Sequence, residues 1–131
     1  MSDGSALWLL LRHAGTWLRN LQRAGAARKQ ASREALEHVL LAVRGTAAYT
    51  RELQGTGEHD YRREAELAER WTALGLRLES LGMGALAKRC RVSGRHWAEP
   101  GRYDEEFLAR ADIKLDRMER LAMQLLKEIG P

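Results

Sequence analysis

"ELAERWTALGLRLESLGMGA", residues 66–85, is the stretch that decides the fold. Leu67, Trp71, Leu74, Leu78 and Leu81 recur every three or four residues, the spacing of one apolar helix edge. Ala68, Thr72 and Gly75 are small enough to admit a close helical neighbour. "LGMGA", 81–85, then ends the helix in a turn with two glycines.

Working outward from this helix, the same pattern recurs. Upstream, Leu36, Val39, Leu40, Val43, Ala47, Thr50 and Leu53 form one stripe, with Ser32 as its candidate N-cap and "GTG" at 55–57 as its end. The helix holding Trp71 is expected to start near Glu58 or His59, with acids early, where they suit the positive helix end. A first helix is expected from about Ser5. Leu7, Leu10, Leu11, Ala14, Trp17, Leu18 and Leu21 repeat along it, and "RAGAARKQAS" follows as a basic link broken at Gly25. Downstream, a short helix over 84–93 carries Leu86, Ala87 and Cys90, with Gly94 interrupting it and Pro100-Gly101 closing the segment. The last helix starts after Asp104, a candidate N-cap. Leu108, Ala111, Leu115, Met118, Ala122, Leu125 and Ile129 give the cleanest stripe in the chain. No region alternates long enough to read as a strand. The expected fold is all-α: an antiparallel four-helix bundle with an additional short helix in the last connection, forming one domain over 1–131.

A chain of 131 residues buries roughly 65–70% of its unfolded surface and can hold a core without covalent staples. One cysteine, Cys90, makes no internal disulfide, which fits a reducing compartment. No basic region precedes "ALWLLL", and that run is too short for a signal peptide core or a bilayer span. A cytoplasmic protein without a membrane partner is expected. The net charge is +4, from 22 basic and 18 acidic residues, a mild excess that permits nucleic acid without requiring it. It is unevenly spread. Arg12, Arg19, Arg23, Arg28, Lys29 and Arg33 occur with no acid among them, and Lys88, Arg89, Arg91, Arg95 and Arg102 occur against Glu99 alone. These two patches form one surface only if the fold brings them together.

Several chemistries are missing. No GxGxxG, Walker loop or CxxC occurs. His13, His38, His59 and His96 lie far apart, and no Glu-x-x-His pair supports a di-iron bundle. No metal site and no cofactor are expected. Cys90 follows Leu86 by one turn on the same face, so it reads as a buried small hydrophobe rather than a nucleophile. Asp60, Glu64, Glu66 and Glu69 read as a solvated face, with Arg62 and Arg70 spaced to pair with Glu66.

Two features remain open to function. In Leu7-Trp8-Leu9-Leu10-Leu11 the apolar positions exceed one face, so Leu7, Trp8, Leu9 and Leu11 are candidates for contact with a partner chain, such as a second copy, or else for cover by another helix of the same chain. The corner "AKRCRVSGRHWAEPGRYD", 87–104, gathers five basic residues, His96, Trp97 and the internal proline. One reading is structural: Trp97 and Tyr103 cover the bundle end and the arginines are solvated or paired. Another is RNA or single-stranded DNA, held by Lys88, Arg89, Arg91, Arg95 and Arg102, with Trp97 stacking on a base.

A third reading comes from a resemblance. Arg91-Val92-Ser93-Gly94-Arg95-His96 resembles the Arg-x4-6-His motif of the HEPN superfamily, compact helical bundles that often dimerise. The resemblance implies metal-independent RNA cleavage at a dimer interface, with Arg91 steadying phosphate charge and His96 moving the proton. Five positions on an unbroken helix place two side chains about 140° apart. The resemblance therefore implies a helix that breaks or restarts near Gly94. The sequence reading is a small helical protein-association module, self-associating and an accessory part of a larger system. The alternative is a HEPN-like RNase or an RNA/DNA-binding subunit. Whether the chain is an enzyme stays open.

Overall fold

The computed structural model describes residues 19–21, 23, 25–102, 106 and 114–130. All secondary structure among them is helical, and the fold is an all-helical bundle. Four helices are defined: α1 (Ala26–Thr56), α2 (Tyr61–Ser80), α3 (Gly84–Ala98) and α4 (Leu115–Ile129). Arg19, Asn20, Leu21 and Arg23 are helical as well, as is Glu106, and Leu21 is buried in the core. Leu7, Trp8, Leu9 and Leu11, the expected N-cap Asp104 and the stripe residues Leu108 and Ala111 lie outside the described residues.

α1 is longer than its stripe suggests. It starts directly after Gly25, whose φ of 88° only glycine adopts without strain, not at Ser32. The supposed link "AARKQ" consists of good helix formers, so nothing in it stops the helix. Ser32 is consequently a buried mid-helix residue, and its hydroxyl has no hydrogen-bond partner among the described residues. At the other end Gly57 takes the left-handed conformation and donates its N–H to the Leu53 carbonyl at 2.8 Å, ending α1 where "GTG" predicts. α2 starts at Tyr61, with Asp60 accepting from the Arg63 N–H at 3.1 Å.

The polar contacts fix how the helices run. Moving along α1 from Arg33 to Arg44 moves back along α4, from the Gly130 carbonyl (2.7 Å from Arg33 Nη2) to Glu119 (3.2 Å from Arg44 Nη2). Moving from Glu34 to Thr46 to Tyr49 on α1 likewise moves back along α2, from Arg77 to Trp71 to Glu64. α1 is therefore antiparallel to both α2 and α4. Trp71 is fully buried, and its Nε1–H donates to Thr46 Oγ1 at 2.9 Å, so the largest core side chain leaves no donor stranded.

α2 and α3 form the most intimate pair, joined by the turn 81–83. The small residues of α2 are why. A Cβ at Gly75 would come within 2.6 Å of Arg91 Cγ and 3.1 Å of the Ala87 carbonyl. A Cβ at Gly94 would collide with the Thr72 hydroxyl and lie 3.1 Å from the Thr72 nitrogen and 3.2 Å from the Ala68 carbonyl. This corrects the sequence expectation for α3. Gly94 does not interrupt the helix; it is the buried point where α3 touches α2, and α3 continues unbroken to Ala98.

Candidate functional site

The end of the bundle where α1 meets α2 is held by a polar cluster that the acid-run reading missed. Glu64 is only 2% exposed, not part of a solvated face. Its Oε2 accepts from Tyr49 Oη at 2.5 Å and lies 2.7 Å from His59 Nδ1. Tyr49 Oη in turn accepts from the Asp60 N–H at 2.9 Å. Burial, then the bond to Glu64, pushes the Tyr49 hydroxyl above its usual range. Arg63 lies over the Tyr49 ring, 4.8 Å from its centroid, and pairs with Glu52, whose hydrogen bond raises the Arg63 pKa.

α3 brings Trp97 to the same end. Its ring meets Tyr49 edge-on at 5.7 Å and His96 at 4.9 Å. Trp97 is thus packed against the core, as the structural reading of the corner expects, and does not stand clear as a stacking platform.

The second basic patch runs along α3, from the Glu79 end of α2 toward the end that holds Tyr49. Arg28, Lys29 and Arg33 lie at the end of the bundle that carries Gly130, whereas Arg95 and Trp97 lie at the end that carries Tyr49. Arg91 pairs with Glu79 of α2 at 2.7 Å and Arg102 with Glu99 at 3.3 Å. Arg89 donates to the Ala85 carbonyl at 3.0 Å, and desolvation lowers its pKa. Lys88 and Arg95 are exposed and make no ion pair among the described residues. With α3 unbroken, the five-residue spacing turns Arg91 toward α2 and His96 toward the Trp97 ring.

Cys90 is fully buried, and burial pushes its thiol up to about 12 against the opposing charge of Arg91. Such a thiol is a poor nucleophile at neutral pH. Among the described residues no group of three or more His, Cys, Asp or Glu could hold a metal ion, and no helix is long and apolar enough to cross a membrane.

A concavity among the described residues lies between α1 and α2. It is a groove of about 530 Å³ whose apolar lining is Leu41, Ala73 and Leu74. Glu66, Glu69, Arg70 and Arg77 flank it on α2, with His38 opposite. Leu41 and Leu76 are each 59% exposed. Leu76 stands one turn beyond Ala73 on the outward side of α2. Leu41 and Leu76 belong to none of the apolar stripes. The usable signal was that both leucines fall off them: Leu41 beside Leu40 and Leu76 between Leu74 and Leu78.

Compared with known proteins, the chain matches no family model, no curated protein and no solved structure.

Proposed function

We propose that this protein is a helical association module that pairs with a second copy of itself through the α1/α2 groove. What supports the reading is one observation: exposed Leu41 lines a groove with Ala73 and Leu74, and exposed Leu76 stands one turn beyond Ala73 on α2. A two-fold interface needs that combination, because each copy must offer both the knob and the hole. The charges are compatible with it. Along α2 the groove runs from Glu66 and Glu69 to Arg70 and Arg77. Two antiparallel α2 helices would set the acidic part of one against the basic part of the other.

The expected strength is low. Covering the exposed portions of Leu41 and Leu76 is worth about 1–2 kcal/mol each. Four leucines across the two-fold give about 4–8 kcal/mol of gross burial, against which association itself costs several kcal/mol, so only a weak dimer in the high-micromolar to millimolar range is expected. Light scattering and sedimentation from about 10 µM to 1 mM should therefore show a concentration-dependent dimer. Leu41→Glu with Leu76→Glu should leave a monomer of unchanged helicity. A wild-type chain that stays monomeric at about 1 mM overturns the proposal. So does a dimer lost in Trp8→Glu but retained in the double variant, which would move the contact to the apolar run at Leu7, Trp8, Leu9 and Leu11.

A further inference from the structure

The edge of α3 beside α2 carries an unbroken run of positive charge. From Ser80 to Ala98 the chain has no acidic residue. Lys88, Arg91 and Arg95 occupy positions i, i+3 and i+7, so they stand in one row spanning about 10 Å of helix. The two outer members, Lys88 and Arg95, are exposed and carry no ion pair among the described residues. Arg91, between them, keeps Glu79 on its α2 side. The row also lacks something. Leu41, Tyr61, Leu76 and Met123 are the exposed large hydrophobics, and none belongs to α3.

That absence separates the classes of partner. A protein interface draws most of its affinity from buried aromatic or aliphatic anchors, and a membrane surface takes up the apolar face of a helix. Neither is offered here. A nucleic-acid backbone needs only fixed cations at intervals, with the affinity coming from counterion release. Trp97, at the end of α3, is engaged with Tyr49 and His96. We infer that the edge of α3 beside α2 is a sequence-independent contact for the phosphodiester backbone of RNA or DNA, held by the exposed Lys88 and Arg95 with Arg91 between them. This goes beyond self-association and uses a different face from the α1/α2 groove.

The test uses the full chain and fluorescein-labelled 12-nucleotide oligouridylate and oligothymidylate, read by fluorescence anisotropy. Two contacts predict a loss in affinity of about 7-fold between 50 and 200 mM salt, and three predict about 20-fold. The two probes should bind alike, since no 2′-hydroxyl or base edge is read. Lys88→Ala with Arg95→Ala should cut the salt dependence to below about 3-fold and weaken binding at 50 mM. Lys88→Arg with Arg95→Lys should restore both, which a merely structural role would not require. Circular dichroism of all variants should be the same. No binding at about 100 µM protein in 50 mM salt overturns the inference. Binding unchanged in the double alanine variant also overturns it, as does labelled polyglutamate binding as tightly as the oligonucleotides, which would assign the row to an acidic protein.

Discussion

Cys90 illustrates how one residue's surroundings outweigh its sequence neighbours. Arg89 and Arg91 flank it in the chain, yet burial dominates and raises its thiol from 9.0 to about 12. The folded chain thus keeps a proton that the unfolded chain gives up at lower pH. The unfolded state binds fewer protons between about pH 9 and 12, so stability falls as pH rises through that window. Below pH 9 this contribution is fully present. Urea unfolding of wild type should therefore lose free energy more steeply from pH 9 to 11 than Cys90→Ala does. Tyr49, whose pKa is also raised, acts in the same direction in both proteins, so the difference between them isolates Cys90. Parallel pH profiles for the two would contradict this account.

At the scale of an element, two helical glycines should respond oppositely to the same substitution. A Cβ at Gly55 near the end of α1 meets nothing within 4 Å. Gly55→Ala should stabilise the chain by roughly 0.5–1 kcal/mol, because alanine loses less backbone entropy on entering a helix. Gly94 sits equally within a helix, but its Cβ would press on the backbone of Ala68 and Thr72. Gly94→Ala should destabilise by about 1–3 kcal/mol as α3 is levered from α2. Thermal melts of the two variants would decide it. If both raise Tm, the α2–α3 contact is looser than these distances imply.

At the scale of the molecule, Tyr49 joins three elements. Its hydroxyl bonds Glu64 of α2 and the N–H of Asp60 in the turn, while its ring packs on Trp97 of α3. Tyr49→Phe keeps the ring contact and removes only the hydroxyl. Glu64 then loses one donor in a buried site, though His59 Nδ1 remains beside it. The expected cost is about 1–3 kcal/mol. Amide exchange should accelerate at residues 57–64 before it changes in the middle of α1. Unchanged Tm and exchange would show that the cluster does not hold this end together.

The sequence by itself determined the helical character, the core stripes and the turns. The Leu67–Leu81 edge, the end of α1 at 55–57 and the small residues of α2 are all local patterns, because a helix repeats every 3.6 residues and a left-handed turn selects glycine. Even the close approach at Gly75 was legible in outline, since a missing side chain beside an apolar edge leaves room for a neighbour. The tertiary structure alone decided what the ambiguous residues do. Gly94 reads locally as a break, and only the backbone of α2 lying against it reveals a contact point. Glu64 reads as one acid among four until Tyr49, fifteen residues away in the chain, arrives to bury it. Whether the two basic patches share a surface is open in the sequence, and the antiparallel register carries Arg33 and Arg95 to opposite ends. The physical reason is the same in each case: periodicity is written along the chain, whereas burial and charge proximity depend on which distant segment comes to rest alongside.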